Sequence, residues 1–296
     1  MPVSTIGPVG VIGTGAMGMG VVQSLLRASF ITHARDLRPD AQIETASLGA
    51  VVHPSAASLA EACNVAIVLV VDAAEIDEVL FGAAGAATAF RRDSIVVISS
   101  TVAPDYVAAL ESRFAARKIA VIDAPVSGGP ARATDGTMTM MIAGSPAARE
   151  RCATLFAAMA GKIFCVGNAP GDAAKFKLVN NLLAAVNLAA GAEALALAVK
   201  AGLDPRQVVD VINASSGGSW IFADRMPRAL SGDYAPRAAT KILAKDVSLA
   251  AEFAATNGMD APFALAARAA FRAAVAAGYA EEDDAAMFKH MTRHND

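Results

Sequence analysis

The sequence of 296 residues is short of cysteine, histidine and aromatic side chains, and these shortages argue against several classes of chemistry. Its three cysteines lie far apart and predict neither a disulfide framework nor a metal cluster; they are Cys63, Cys152 and Cys165. Its four histidines are scattered, which disfavours a Ser-His-Asp hydrolase and a histidine-ligated metal; they are His33, His53, His290 and His294. We therefore expect no metal site and a reactive group of another residue type.

The sequence also lacks an excess of basic residues and a segment that would direct it to a membrane. A formal net charge of −3 at pH 7 gives no reason to expect nucleic acid as a partner. The N-terminus MPVSTIGPVG has no basic stretch followed by an apolar one, so no secretory signal is predicted. The longest apolar stretch, Leu182 to Val199, contains Asn187 and Glu193, which a membrane-spanning helix tolerates poorly. We expect a cytoplasmic protein with no membrane partner.

The first half of the chain alternates short apolar runs with helical stretches, which is typical of βαβ units and a parallel sheet. The predicted strands are Val9–Ile12, Ile31–Ala34, Val65–Val71, Ile95–Ser99, Ile119–Asp123, Met138–Ile142 and Ile163–Val166. After the turn residues at Gly167 to Gly171, only helical patterns follow. The sequence therefore predicts an α/β Rossmann domain with a mostly parallel, doubly wound sheet at residues 1–168. An all-α domain for substrate binding and oligomerisation is predicted at residues 169–296.

One predicted helix, from Ala173 to Ala201, is apolar on nearly every side. It ends at Gly202, and Pro205 marks the start of the next helix. A helix that is apolar all round must be buried all round. The C-terminal part of the chain is short for that task, so we expect a second subunit to cover part of the helix, in a homodimer or a homotetramer.

The clearest motif is a glycine-rich loop between the first predicted strand and the first helix. It reads Gly13-Thr-Gly15-Ala-Met-Gly18. In a Rossmann domain the first glycine allows a tight turn, the second lets the backbone approach a pyrophosphate, and the third lets the helix pack on the strand. The helix N-terminus adds free N–H groups and a partial positive charge. The motif predicts a nicotinamide dinucleotide site, and a plain glycine turn is the alternative.

Asp36, at the end of the second predicted strand, bears on which dinucleotide is bound. An acidic side chain there accepts hydrogen bonds from the ribose hydroxyls and repels a 2′-phosphate, which favours NAD over NADP. Arg35 and Arg38 flank it, and either could reach a phosphate, so NADP stays open. In the alternative interpretation Asp36 only opens a turn.

Because no histidine is well placed, a lysine is the best candidate for a general base. Lys177 and Asn181 are four residues apart in the long helix, so their side chains share one face, which we expect at a cleft between the domains. A lysine there can lose its proton where the cleft is dry and a second cation, such as Lys245, lies near it. From the spacing alone, a solvated lysine and a locally packed asparagine remain the alternative.

Two loops that follow predicted strands could complete the site. Ser127, Gly128 and Gly129 follow the fifth predicted strand and offer small side chains and backbone N–H groups, which suit a carboxylate. Thr101 follows the fourth predicted strand, beside the expected nicotinamide position. Ordinary exits from the strands explain both loops equally well.

Four motifs, in order and along nearly the whole chain, resemble the β-hydroxyacid dehydrogenase family, which includes 3-hydroxyisobutyrate dehydrogenase and 6-phosphogluconate dehydrogenase. They are GTGAMGMG after the first predicted strand, DAPVSGG after the fifth, KLVNN in the long helix, and Lys245-Asp246. The resemblance implies an N-terminal Rossmann domain and a helical C-terminal domain. It also implies NAD(P)-dependent oxidation of a hydroxy acid by a dimer or a tetramer.

The resemblance also implies roles for the site residues. Lys177 would be the catalytic acid and base, and Asn181 would hold the substrate together with the backbone of Ser127, Gly128 and Gly129. Trp220 and Phe222 are candidates for the far wall of the substrate pocket, with core packing as the alternative. The expected cofactor-binding residues are Gly13, Gly15, Ala16, Met17, Gly18, Asp36, Val70, Val71, Thr101, Lys245 and Asp246, with NAD preferred and NADP possible.

Within the family, phrases such as GMGVVQSLLRA, ARDLRP and GYAEEDDAA are most similar to enzymes that oxidise L-threonate to 2-oxo-tetronate. The chain departs from that subgroup, in which a histidine is expected in place of either Asn180 or Asn181, because both positions are asparagine here. Oxidation of 3-hydroxyisobutyrate and reduction of tartronate or succinic semialdehyde are the alternatives. A non-catalytic cofactor-binding protein and an imine reductase are disfavoured, because the lysine position is occupied by Lys177.

Overall fold

The computed structural model describes residues 6–293, so His294 lies outside the described residues. The chain divides into two compact units, Met1–Lys177 and Leu178–Asp296. The buried apolar side chains of the first unit form cores on both faces of a sheet, and those of the second unit form a separate core between helices.

The first unit contains one sheet of nine strands within the described residues. In chain order they are β1 (Val9–Ile12), β2 (Thr32–Arg35), β3 (Val51–Val52), β4 (Val65–Val68), β5 (Ile95–Ile98), β6 (Ala120–Asp123), β7 (Val126–Ser127), β8 (Met138–Ala143) and β9 (Ala160–Gly167). Their order across the sheet is β3-β2-β1-β4-β5-β6-β8-β7, and β9 pairs with β8. The pairings are parallel except those of β8 with β6 and β7. The predicted mostly parallel sheet is confirmed.

Helices cover both faces of this sheet. They are α1 (Ala16–Arg27), α2 (Pro39–Ser47), α3 (Ala56–Ala62), α4 (Ala73–Phe81), α5 (Pro104–Ala115), α6 (Gly129–Asp135), α7 (Pro146–Arg151) and α8 (Ala153–Met159). Leu25 and Phe156 belong to the core on one face, and Leu59 and Phe114 to the core on the other. Because both faces are covered, every residue of β4 and of β5 is buried, as their unbroken apolar runs predict.

The structure differs from the sequence prediction in the short elements. β3 and β7 were not predicted, because two residues are too few to show an alternation. The sequence pattern predicts helical segments at Gly18–Ala28, Ser58–Cys63, Ile76–Leu80 and Pro104–Ala116, which overlap α1, α3, α4 and α5. It does not name α2, α6, α7 or α8. The predicted strand Val65–Val71 ends at Val68, because the N–H of Val70 donates to Oγ of Ser100 (2.9 Å) and not to a neighbouring strand.

The second unit is built of helices joined by short loops, with one isolated β-bridge between Ala239 and Asp283 in its described residues. Its helices are α9 (Asp172–Lys200, which begins in the first unit), α10 (Pro205–Asn213), α11 (Trp220–Leu230), α12 (Thr240–Thr256), α13 (Pro262–Ala274) and α14 (Ala286–Arg293), with a π-helical turn at Val275–Tyr279. The core joins Leu188 of α9, Phe222 of α11, Val247 of α12 and Phe271 of α13. The predicted all-α domain is confirmed. Besides the long helix, the sequence pattern predicts helices around Pro205–Ala214, Ala238–Asn257 and Pro262–Ala277, which overlap α10, α12 and α13, and it does not predict α11 or α14.

By length and composition, α9 is the one helix in the described part of the chain that could cross a membrane. The core helix of a globular domain has the same properties, and α9 contributes Leu188 and Leu195 to the core of the second unit. Its opposite side bears Val179, Leu183 and Leu197, which are 62, 58 and 68 % exposed in a single chain. The burial on all sides that its composition predicts is therefore not reached within one chain.

Candidate active site

The predicted glycine-rich loop lies between β1 and α1. The N–H of Gly13 donates to the carbonyl of Arg35 at the end of β2 (2.9 Å), and its φ of 91° lies in the region that favours glycine. A Cβ atom at Gly18 would stand 1.9 Å from the carbonyl oxygen of Gly13. Only glycine at these two positions lets α1 start so close to the strand.

Gly15 has a different role because it borders open space. No atom of the described chain lies within 4 Å of the position that its Cβ would occupy. Gly15 is the N-cap of α1. Because it has no side chain, no side-chain cap binds the first N–H groups of the helix, and the first turn contains no acidic residue. A helix start with these properties attracts an anion. The loop, with Ala16 and Met17 in that first turn, fits the pyrophosphate of a dinucleotide.

Asp36 lies beside this loop at the end of β2. Its Oδ2 accepts the N–H of Thr14 (2.7 Å), and its Oδ1 accepts the N–H and the Nε of Arg38 (2.9 and 3.1 Å). Burial works to raise the pKa of Asp36, but the hydrogen bonds from Arg38 and Thr14 outweigh it and hold the pKa below its usual value. Asp36 is therefore an ionised carboxylate next to the glycine loop, where it can bind a ribose diol. The exposed side chain of Arg38 is hydrogen-bonded to this carboxylate.

Val70, Val71 and Thr101 lie on the loops that follow β4 and β5. The N–H of Val70 donates to Oγ of Ser100 (2.9 Å), and the N–H of Val71 donates to the carboxylate of Glu75 (2.8 Å). Because β1, β4 and β5 are adjacent and parallel, these loops emerge at the same edge of the sheet as the glycine loop. Ligands of such sheets bind at the carboxyl ends of the strands.

Lys177 is buried in the second turn of α9 and is 8 % exposed. Its Nζ donates to the carbonyl oxygen of Val126, the first residue of β7 (2.8 Å). This burial does not fit the alternative of a solvated lysine. A buried amine held by a backbone carbonyl has a defined position, which a general base requires.

Asn181, Lys245 and Asp246 come together in the second unit. Asn181 is 7 % exposed, and its Nδ2 donates to Oδ2 of Asp246 (2.7 Å) while its Oδ1 accepts from Nδ2 of Asn180 (3.0 Å). The ammonium of Lys245 lies 2.8 Å from Oδ1 of Asp246. The charge of Lys245 is thus paired with a carboxylate, and the same carboxylate orients the amide of Asn181.

Ser127, Gly128 and Gly129 continue directly from Val126, the residue that accepts Lys177. Ser127 pairs with Thr139 of β8, and Gly128 is the N-cap of α6. Gly128 has a φ of 127°, which disfavours any residue with a side chain. Among the described residues, no atom beyond its chain neighbours and its own helix backbone lies within 4 Å of the position that a Cβ at Gly129 would occupy. The backbone here is accessible and comes from the segment that holds Lys177.

Trp220 and Phe222 lie elsewhere in the second unit, at the start of α11. Trp220 is 52 % exposed, whereas Phe222 is buried against α9, since a Cβ at Gly191 would lie 2.5 Å from its ring. Residue 191 is ten positions after residue 181, about 15 Å along the helix axis. The structure therefore does not bring Phe222 beside Asn181. It places Phe222 at a separate cavity of about 260 Å³ that is lined by Asn187, Gly191 and Ser219.

Arg225, one turn after Ile221 in α11, is not a surface residue. It is 8 % exposed, and its Nε donates to Oδ1 of Asp284 (2.6 Å). Burial works to lower the pKa of Arg225, but Asp284 and Asp224 outweigh it and raise the pKa above its ordinary value. This arginine holds α11 to the turn before α14.

Three residues that the sequence did not single out support the loops of the site. They are Thr14, which donates to Asp36, Ser100, which accepts from Val70, and Asp123. Oδ2 of Asp123 accepts the N–H groups of Gly171 (2.9 Å) and Ala174 (2.8 Å), at the start of α9. An acidic residue that ends a buried strand requires partners, and that signal in DAPVSGG could have identified Asp123.

A doubly wound sheet with a glycine loop at the carboxyl ends of its strands, and a helical unit after it, define the class of dinucleotide-binding oxidoreductases. Models of two protein families match the chain, one in its first part and one in its second. One is described as the NAD binding domain of 6-phosphogluconate dehydrogenase and matches residues 8–167. The other is described as NAD-binding of NADP-dependent 3-hydroxyisobutyrate dehydrogenase and matches residues 171–291. The chain belongs to the β-hydroxyacid dehydrogenase family and is an NAD(P)-dependent hydroxyacid dehydrogenase.

Individual relatives agree with this assignment. L-threonate dehydrogenase of Cupriavidus necator is 45 % identical over 281 residues, which cover 95 % of each chain. The structure of 3-hydroxyisobutyrate dehydrogenase from Salmonella typhimurium is 38 % identical, has a TM-score of 0.90, and covers 96 % of this chain and 99 % of that one. Psf3 in complex with NADP+ and 2-OPP is 27 % identical, with a TM-score of 0.90 and coverage of 96 % and 99 %.

Proposed function

We propose that this dehydrogenase oxidises the small hydroxy acid L-threonate to 2-oxo-tetronate and prefers NAD as the hydride acceptor. The observation that carries the chemistry is the buried Lys177, whose Nζ is held 2.8 Å from the carbonyl of Val126, directly before Ser127 and Gly128. The similarity to L-threonate dehydrogenases supports the substrate. The division of labour that we propose gives the dinucleotide to residues 1–168 and substrate contacts and oligomerisation to residues 169–296.

When it is bound, the nicotinamide supplies a hydride acceptor, and the chain's own residues position the substrate and move its proton. Lys177, in its neutral form, takes the proton of the hydroxyl group and returns it in the reverse reaction. The amide nitrogen of Asn181 has two N–H donors, of which one goes to Asp246. The second is directed to the reacting oxygen, so Asp246 acts by orienting that amide.

The backbone of Ser127, Gly128 and Gly129 receives the substrate carboxylate in this proposal. The positive φ angles of Gly128 and Gly129 turn successive N–H groups to one side, an arrangement that binds anions. Ser127 adds a hydroxyl donor. Thr101, Lys245, Val70 and Val71 are proposed to contact the dinucleotide.

A second copy of the chain is the proposed cover for the exposed side of α9. Val179, Leu183 and Leu197 all lie on that side, and each is more than half exposed in a single chain. Exposed apolar side chains on one face of a helix are typical of a contact surface. A homodimer or a homotetramer buries such a surface. The proposed location is the cytoplasm, in line with the relatives, which are bacterial metabolic dehydrogenases.

The preference for NAD is tested by the Asp36→Ala variant. Loss of hydrogen bonds to a charged group costs about 1.5–3 kcal/mol, so the Kd of NAD is expected to rise about 10- to 100-fold. The Kd of NADP is expected to change less, because the same change frees Arg38 for a 2′-phosphate. Titration of both cofactors measures the two constants, and Asp40→Ala, an exposed acid on α2, is the control. Equal losses for NAD and NADP would remove Asp36 from the ribose site.

The substrate is tested by assaying the purified enzyme with L-threonate, 3-hydroxyisobutyrate, D-glycerate and tartronate semialdehyde, each with NAD and with NADP. We expect the highest kcat/KM with L-threonate and NAD. One missing or displaced hydroxyl leaves a polar group of the site unpaired, so the preference over 3-hydroxyisobutyrate is expected to exceed about 100-fold. A higher kcat/KM with another acid contradicts the L-threonate proposal but leaves the role of Lys177 intact.

A further inference from the structure

The segment from Asp123 to Gly129 meets the start of α9 at two points within the first unit. Oδ2 of Asp123 accepts the N–H groups of Gly171 (2.9 Å) and Ala174 (2.8 Å). Three residues after Asp123, the carbonyl of Val126 accepts Nζ of Lys177 (2.8 Å). Ala174 and Lys177 are three residues apart, so the two contacts lie within one turn of the helix.

Asp123 is itself held firmly. It ends β6 and is fully buried, and it pairs with Ile98 of β5 on one side and with Ala143 of β8 on the other. The start of α9 is also confined from a second direction, because a Cβ at Gly171 would lie 2.7 Å from the carbonyl of Pro104. The carboxylate of Asp123 therefore links the end of β6 directly to the first turn of α9.

We infer that Asp123 is a positioning residue, which sets the place of Lys177 relative to the backbone of Ser127–Gly129 by holding the first turn of α9 on β6. The inference rests on the proposed role of Lys177 as the general base. The base and the proposed carboxylate cradle come from segments about 50 residues apart in the chain, and an error of about 1 Å in such a geometry can cost on the order of 100-fold in rate. The hydrogen bonds of Asp123 link the two segments directly and so fix the position of one relative to the other.

Asp123 accepts these hydrogen bonds although its burial disfavours the charged form of the carboxyl group. Burial raises the pKa of Asp123 to about 6, and the hydrogen bonds from Ala174 and Gly171 counter only part of this rise. Since the folded pKa lies above the unfolded one, the stability from this group is full below the unfolded pKa and is lost as the pH rises through about 6. Its Oδ1 accepts no hydrogen bond from any described residue. The ionised carboxyl thus costs stability at neutral pH, which is typical of a functional position.

The test compares Asp123→Ala, which removes the acceptor, with Asp123→Asn, which keeps an acceptor oxygen and removes the charge. For Ala we expect kcat to fall about 10- to 100-fold, with the Kd of NADH within about threefold because the glycine loop lies on other elements. For Asn we expect kcat within about threefold of the wild type and no loss of Tm at pH 7.5. Asp105→Asn, an exposed acid on α5, is the control. The measurements are kcat and KM per NADH-binding site, NADH titration and Tm.

A kcat for Asp123→Ala within twofold of the wild type would overturn the inference, and so would an Asn variant as impaired as Ala. If the Ala variant does not fold, Asp123→Glu takes its place, since it keeps the acceptor but lengthens the side chain by one methylene group. Reduced kcat with intact NADH binding then supports the inference, and unchanged kcat contradicts it. Lys177→Met in the same assay separates the two proposals. Retained turnover there removes Lys177 as the base, whereas inactive Lys177→Met beside active Asp123→Ala removes only the positioning role.

Discussion

Replacement of Lys177 by methionine is expected to lower kcat for every hydroxy acid substrate by about 10²- to 10⁴-fold, the usual contribution of a general base. Methionine fills much of the volume of the buried lysine, so the packing of α9 is largely kept. The carbonyl of Val126 loses its partner, which costs about 1–3 kcal/mol of stability and leaves the fold intact. The rate of NADH formation at saturating substrate measures the effect.

The matched control is Lys175→Met, two residues earlier in the same helix. Lys175 is exposed, and its Nζ pairs with Asp172 (3.0 Å), so its loss is expected to leave kcat within about twofold. NADH binding should be the same in both variants, since the glycine loop is unchanged. If Lys177→Met turned over any substrate at a tenth of the wild-type rate or more, the proton would have to leave through another group.

The parts of the fold that follow from local patterns were predictable, and the parts that depend on distant partners were not. β4 and β5 can be predicted from their unbroken apolar runs, because strands that are covered on both faces are apolar at every position. β3 and β7 exist only because a neighbouring strand supplies their hydrogen bonds. The end of β4 at Val68 likewise depends on Ser100, which follows a different strand.

The candidate site divides in the same way. Gly13 and Gly18 are visible in the sequence because each meets a local steric need, as the contact of Gly18 with the carbonyl of Gly13 shows, whereas Gly15 leaves space for a ligand. The helical spacing of Lys177 and Asn181 is visible too, but their burial is not. A backbone carbonyl such as that of Val126 has no sequence signature, and the partners of Asp123 are 48 and 51 residues away. The family resemblance, and not the spacing, therefore singled out Lys177.

Replacement of Gly15 by alanine is expected to weaken NAD and NADP binding on the order of 100-fold while the protein remains folded. The backbone at Gly15 has φ −64° and ψ −170°, which alanine adopts without strain, and the methyl group meets no atom of the described chain within 4 Å. That empty space is where a pyrophosphate would approach the start of α1. Loss of two hydrogen bonds to a charged group, at about 1.5 kcal/mol each, accounts for the expected factor.

Two other glycine variants separate loss of binding from loss of folding. Gly18→Ala puts its Cβ 1.9 Å from the carbonyl oxygen of Gly13, so we expect a lower Tm together with lost binding. Gly161→Ala, on β9, makes only an ordinary contact of 3.4 Å and should change neither quantity. Cofactor titration and thermal unfolding of all three variants give the comparison. A Gly15→Ala protein that binds NADH as tightly as the wild type would show that the space beside Gly15 is not used by the pyrophosphate, whatever its effect on Tm.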